Sequence, residues 1–162
     1  MTQKQKLAYF EKCIKDLRRK LLIDPKVVLT IRYVSIDEIP DEMASGPPQD
    51  LPELVKQEEL LVTHLERVLC GEALYRRAVE AGFKHKKFGR LALAACIQNK
   101  AQYWNFAFEV YDRMLSVESD ADFRALAYTT ACHELLHIVC WPAFSYAQSL
   151  IKSSCSSDKR LV

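Results

Sequence analysis

Apolar residues near the start of the chain recur at the spacing of an amphipathic helix. Steps of three and four residues separate Leu7, Phe10, Ile14, Leu17 and Leu21. The helix is predicted to end before Asp24-Pro25, because the residue preceding a proline avoids the α region. Val27 to Ile36 follows, rich in Val, Ile, Thr and Tyr, and predicts a β-strand.

A proline-rich segment separates this strand from a second helical region. Prolines are dense over residues 40–52, which excludes helix and sheet interior and predicts a loop. Residues 53–87 then show a helical pattern, and Gly71 is predicted to divide it into two helices. The expected apolar stripe of the first of these helices consists of Leu54, Leu61, Leu65, Val68 and Leu69. The basic residues within 84–90 indicate a connecting loop or, alternatively, a phosphate contact.

Two segments with a period of two predict a β-hairpin. Apolar and smaller residues alternate over 91–97 and again over 103–111, with Gln98 to Ala101 as the connection. A helix over 91–96 is the alternative, since that stretch is rich in alanine.

The last third of the chain predicts a long helix. Ser119 or Asp120 can cap its N-terminus, and acidic residues in the first turn complement the helix dipole. The helix is expected to reach about Trp141, where Pro142 ends or bends it, with a short helix over 143–151 and a frayed tail beyond. The order of elements predicts an α+β fold with a small mixed or antiparallel sheet.

Composition narrows the class of protein. The 162 residues are 49% apolar, which excludes a disordered chain and suits one domain over residues 1–162. Lys and Arg (23) exceed Asp and Glu (21) by two, so net charge gives no argument for nucleic acid or an anionic membrane. Neither a membrane span nor a secretory signal is recognisable, and we expect a cytoplasmic protein. Six cysteines without a CxxC pair are expected to be reduced and mostly buried.

One motif in the predicted long helix contains candidate metal-binding and catalytic residues. His133-Glu134-Leu135-Leu136-His137 is an HExxH sequence. Residues four apart share one helix face, so both imidazoles can point at one Zn²⁺ ion. Glu134 projects beside the metal, where it can hold and deprotonate a zinc-bound water. The alternative is a partly exposed helix face with ordinary hydrogen-bonded histidines.

The stretch from Ala121 to Val139 resembles the active-site helix of zincin metallopeptidases. The order of elements is also similar to that of small zincin-like proteins of bacteria and their phages, with residues 7–22, 27–36, 103–111 and 120–141 as the matching pieces. The resemblance implies hydrolysis of a protein or peptide substrate, zinc ligands His133 and His137, and Glu134 as general base. Residues 103–111 would be the edge strand that pairs with the substrate, and 53–87 a helical insertion.

A third protein ligand, which catalytic zinc usually has, is not identifiable from the sequence. The HExxHxxGxxH continuation is absent, and neither Glu nor His follows His137. The candidates are Asp158, Cys140, Tyr146, Gln148, His64 and His85. Asp112, Glu109 and Glu118 are candidates for the carboxylates that orient the ligating histidines.

A non-catalytic function is the alternative to a peptidase. In a phage or bacterial binding or regulatory module, the HExxH helix would be structural or would hold zinc without turnover. The contact surface would then comprise the basic first helix, the loop at 84–90 and the helix over 54–69. The sequence gives no indication of the oligomeric state.

Overall fold

The computed structural model describes residues 1–35, 53–84, 94–98 and 104–156, with the side chains of 54, 55, 83, 84, 94–98 and 141–156 left aside. Its elements are α1 (Gln3–Lys20), β1 (Val28–Val34), α2 (Glu53–Cys70), α3 (Glu72–Lys84), β2 (Ala94–Gln98), β3 (Asn105–Tyr111), α4 (Asp112–Leu115) and α5 (Asp120–Ser156). The predicted α+β class is confirmed. The predicted loop at 40–52, the basic segment beyond Lys84 and the tail beyond Ser156 lie outside the described residues.

The three strands form one mixed sheet in the order β1-β3-β2. β1 runs parallel to β3, with Ile31 opposite Phe108, and β2 runs antiparallel to β3, with Cys96 opposite the same residue. The antiparallel pairing of the two period-two segments is therefore confirmed. The prediction that residues 103–111 form an edge strand is wrong, because β1 occupies the other side of β3. A parallel partner arrives through a long crossover, and period two alone does not reveal it.

Helix α1 begins and ends through local interactions. Thr2 Oγ1 accepts the N–H of Gln5 at 3.2 Å, and Gln5 Oε1 accepts the N–H of Thr2 at 2.8 Å, which is a capping box. The helix ends at Lys20, and Leu22 adopts a left-handed φ of 54° ahead of Asp24-Pro25. The predicted stop is confirmed, and the chain turns a few residues before the proline.

Gly71 separates α2 from α3, as predicted. Its φ of +85° lies in the left-handed region, which only glycine adopts without steric cost. The turn lets both helices lie against α5. The helical region at 53–84 is therefore part of the packed structure around that helix.

Helix α5 is the central element and lies against α1, α2, α3 and β2. Ser119 caps it, since its Oγ accepts the N–H of Asp122 at 3.3 Å. Of the two alternatives for Pro142, an end of the helix is wrong: the helix continues to Ser156 and includes the residues predicted as a separate short helix. A proline removes one N–H donor, and a helix long enough on both sides can continue past it.

The core lies where α1 and the sheet meet α5. Its largest fully buried side chains include Phe10, Leu17, Phe108, Phe123 and Leu135. Phe10 and Phe108 pack edge to face, with ring centroids 5.5 Å apart. Cys13, Cys132 and Cys140 are buried free thiols, and Cys70 is partly buried and also free. None of the described helices combines the length and the apolar character needed to cross a bilayer.

Candidate metal centre

Helix α5 presents the two histidines of the HExxH motif side by side. The rings of His133 and His137 have centroids 5.1 Å apart, and both side chains are partly buried. They lie one turn apart on the face that packs against α2, as the four-residue spacing predicts. The helix itself therefore brings two imidazoles to one point.

The third side chain at this point is Glu59 of α2. Its Oε1 lies 2.9 Å from Nε2 of His137, and its Oε2 lies 3.3 Å from Nε2 of His133. One ligand atom from each of the three residues lies within 4.8 Å of the others, so the cluster could hold a metal ion. Both Nε2 atoms converge on one carboxylate, which leaves the other side of each ring for separate partners.

Two further glutamates of α2 hold the opposite ring nitrogens. Glu66 Oε2 lies 2.8 Å from Nδ1 of His133, and Glu58 Oε1 lies 3.0 Å from Nδ1 of His137. Glu66 and Glu58 are only 8% and 4% exposed. The pairing order shows that α2 runs antiparallel to α5 here. Each imidazole is thus fixed on both sides, and its orientation is set before any ligand binds.

The charges of this cluster shift the pKa values of its members strongly. Burial by itself lowers the pKa of His133, but hydrogen bonds to Glu59 and Glu66 outweigh it and raise the pKa to about 10. His137 behaves alike: burial is opposed by Glu59 and Glu58, and its pKa is raised. Hydrogen bonds from both rings hold the pKa of Glu59 well below its usual range. Without metal, the protonated imidazoles therefore offset part of the negative charge of the surrounding carboxylates.

Glu134 is the remaining acidic residue of the motif, and it is not among the three residues that could hold the metal ion. Its side chain is partly buried. Its negative charge contributes to the raised pKa of both histidines. The motif predicts an acid next to the metal rather than on it, and this role of Glu134 stays a prediction.

None of the third ligands considered from the sequence belongs to the cluster among the described side chains. His64 is exposed on α2, and Cys140 is buried, but neither joins the cluster. The side chains of Tyr146 and Gln148, together with His85 and Asp158, lie outside the described ones. The orienting carboxylates are also different from those expected, since Glu58 and Glu66 take the place considered for Asp112, Glu109 and Glu118.

Glu59 was not predicted as a ligand because the inward face of α2 carries carboxylates beside apolar residues such as Val62 and Leu65. The predicted apolar stripe is largely exposed at Leu61, Val68 and Leu69, as is the neighbouring Leu60. The face turned inward carries Glu58, Val62 and Glu66 instead. Buried carboxylates are rare unless they are paired. The sequence feature that indicates this site is the recurrence of glutamates at positions 58, 59 and 66, at helical spacing.

Comparison with family models, with curated proteins and with solved structures found no match for this chain.

Proposed function

We propose that this chain is a zinc-dependent peptidase with a zincin-like site. His133, His137 and Glu59 are its metal ligands, and Glu134 is its general base. The observation that carries the proposal is the convergence of two imidazole Nε2 atoms on the Glu59 carboxylate, with both Nδ1 atoms anchored to buried carboxylates.

The donor set fits zinc. Two imidazoles and one carboxylate form a ligand set that catalytic zinc uses, with a fourth position left for water or substrate. All three donors come from rigid helices and lie within 4.8 Å of one another. A bound Zn²⁺ would supply Lewis acidity toward a carbonyl oxygen and would bring the pKa of a water molecule close to neutrality.

Glu58 and Glu66 set the tautomer of the rings. A neutral imidazole carries one N–H, and a carboxylate 2.8 or 3.0 Å from Nδ1 places that hydrogen on Nδ1. With the hydrogen on Nδ1, the lone pair of Nε2 would be available to a bound metal ion. Such outer carboxylates orient metal-ligating histidines and raise their basicity.

Glu134 moves the proton of the reaction. It follows His133 directly, and its negative charge acts on both imidazoles, which supports the role of a general base beside the metal ligands. In peptide hydrolysis it accepts a proton from the attacking water and returns it to the leaving nitrogen. Glu134 can act as the general base only if its carboxylate does not itself bind the metal.

The zincin-like assignment rests on the HExxH helix beside a small mixed sheet. The third ligand distinguishes this chain, because Glu59 precedes the motif on a separate helix. The metal position therefore depends on the packing of α2 against α5, and not on a continuation of the HExxH helix.

The test combines metal analysis with turnover. Purified wild-type protein is expected to retain about one zinc per chain and to cleave a quenched fluorescent peptide library. His133→Ala should lose the metal, whereas Glu134→Gln should retain it and lose turnover. Glu80→Gln, on the exposed surface of α3, is the matched control for a Glu to Gln change. Iron in place of zinc, or full turnover in Glu134→Gln, would contradict the proposal.

The ion-paired cluster also supports a non-catalytic alternative. Protonated imidazoles held by three carboxylates can join α2 to α5 without any metal. In that case added zinc would leave the thermal unfolding of chelator-treated protein unchanged. The peptidase proposal expects a concentration-dependent rise in the unfolding temperature.

A further inference from the structure

The end of α1 and the turn that follows it form a groove that is both basic and apolar. Helix α1 ends at Lys20, and the turn leads on toward β1. A cavity of about 600 Å³ is open to solvent here, and its described lining consists of Lys15, Arg18, Arg19, Leu22, Ile23 and Pro25. The three cations lie at the i, i+3, i+4 spacing of one helix face. These six residues, the basic groove, therefore combine positive charge with apolar surface.

Leu22 is the most exposed large apolar side chain in the described part of the chain, at 89%. Its φ of 54° lies in the left-handed region, which costs free energy for leucine and which glycine and asparagine tolerate better. Neither its exposure nor its backbone conformation stabilises the isolated chain. An apolar environment outside the chain would bury the side chain and favour leucine at this position.

Hydrogen bonds within the chain hold the turn in place. The Nη2 atom of Arg18 donates to the carbonyls of Asp24 and Pro25 at 3.3 and 3.4 Å, and also to the carbonyl of Val27. Asp24 Oδ1 accepts the N–H of Lys26 at 2.8 Å. The turn therefore keeps Leu22 at the surface before any partner binds.

Positive charge is concentrated around the basic groove. From Lys12 to Lys26 the chain carries six Lys or Arg and two Asp, a net charge of +4. The whole chain carries +2, so the other residues together carry −2. Lys15, Arg19 and Lys26 are exposed, and none of them forms an ion pair with another described residue. The small net charge of the chain thus conceals a local surface that favours an anionic partner.

We propose that the basic groove binds the anionic surface of a lipid bilayer, with Leu22 entering the acyl boundary and the cations contacting headgroup phosphates. Surfaces that combine Lys and Arg with an exposed leucine bind at this interface through apolar burial together with attraction to anionic lipids. The stems of Lys15 and Arg19 can lie along the interface while their charged ends reach the phosphates.

The apolar part of the basic groove favours a bilayer over a nucleic acid. Nucleic-acid strands are bound by cations together with aromatic rings on which bases stack. The described lining of the groove contains no aromatic ring. A phosphate backbone would also leave Leu22 in water, whereas a bilayer takes it up. The charge selects an anionic partner, and the exposed leucine selects a lipid surface.

The test is co-sedimentation of the full chain with sucrose-loaded vesicles. One set contains phosphatidylcholine alone, and the other contains equal parts of phosphatidylcholine and phosphatidylglycerol. The chain is expected to bind the mixed vesicles, to bind less as salt is added, and not to bind phosphatidylcholine alone. No binding to the mixed vesicles at low ionic strength would overturn the proposal. Binding of an oligonucleotide by wild type and Leu22→Asn alike, without binding to vesicles, would assign the groove to nucleic acid instead.

Leu22→Asn tests the apolar contact. The variant should fold as well as wild type or better, because asparagine tolerates a positive φ, and its partition onto mixed vesicles should fall about 10-fold. Leu60→Gln, at a 72% exposed position of α2, is the control and should bind like wild type. Unchanged partition of Leu22→Asn would contradict insertion of this side chain and overturn the proposal.

A double charge variant tests the cations and still decides if Leu22→Asn does not fold. Lys15→Gln combined with Arg19→Gln should weaken the partition about 10- to 30-fold, since each cation near an anionic surface contributes about 5-fold. Lys4→Gln combined with Lys56→Gln removes the same charge at exposed positions outside the basic groove and should have little effect. Equal losses in the two double variants would show that only the total charge matters, which would overturn the assignment to this groove.

Discussion

Replacing Glu59 by Gln tests the metal centre most directly. The change keeps the size and shape of the side chain and removes one negative charge. The donor atoms of the centre lie within 4.8 Å of one another. At that separation two unit charges interact by about 3.5 kcal/mol with an effective dielectric constant of about 20. Since about 1.4 kcal/mol corresponds to a tenfold change, we expect the zinc affinity to fall at least ~100-fold.

Glu66→Gln provides a graded comparison on the same helix. This residue contacts Nδ1 of His133 and would act on the metal only through the ring. Loss of such an outer carboxylate typically costs about 10–100-fold in metal affinity. The expected order of zinc affinity is therefore wild type, then Glu66→Gln, then Glu59→Gln.

The assay is a competition titration against a chromophoric zinc chelator, with circular dichroism as a check on folding. Glu80→Gln again serves as the control, because it changes the same charge on an exposed surface. An affinity of Glu59→Gln equal to that of Glu80→Gln would refute the assignment of Glu59 as a ligand. A larger loss in Glu66→Gln than in Glu59→Gln would reverse the assigned roles.

Three further predictions concern stability. In metal-free protein the raised pKa of His133, about 10 against an ordinary 6.5, stabilises the fold fully below pH 6.5, and this contribution is lost as the pH rises toward 10. The lowered pKa of Glu59 stabilises the fold above its ordinary value of 4.5, and this contribution is lost only on acidification. Because the contribution of His133 weakens between pH 7 and 9 while that of Glu59 stays constant, the urea midpoint should fall over this range and should not rise. Phe108→Ala removes a fully buried ring and should cost about 3–5 kcal/mol of unfolding free energy in urea titrations, and an unchanged midpoint would contradict the packing. Gly71→Ala strains a φ of +85° and should cost about 1 kcal/mol, which a higher unfolding temperature would disprove.

Features set by neighbouring residues could be predicted from the sequence. The four-residue spacing places His133 and His137 on one face of a helix, whatever surrounds that helix. Ser119 caps the helix because its side chain reaches an N–H three residues on. Gly71 interrupts a helix because it tolerates a positive φ. Each of these outcomes depends on interactions within a few residues along the chain.

The tertiary structure alone decided which elements meet. Glu59 precedes His133 by more than seventy residues, and only the antiparallel packing of α2 on α5 brings their side chains together. The same packing turns Glu58 and Glu66 inward and leaves Leu60 and Val68 exposed, although Val62 is buried as usual. Likewise, β3 is central because β1 pairs with it through a crossover. Such pairings depend on contacts between segments that are distant along the chain, and local spacing and residue type do not reveal those contacts.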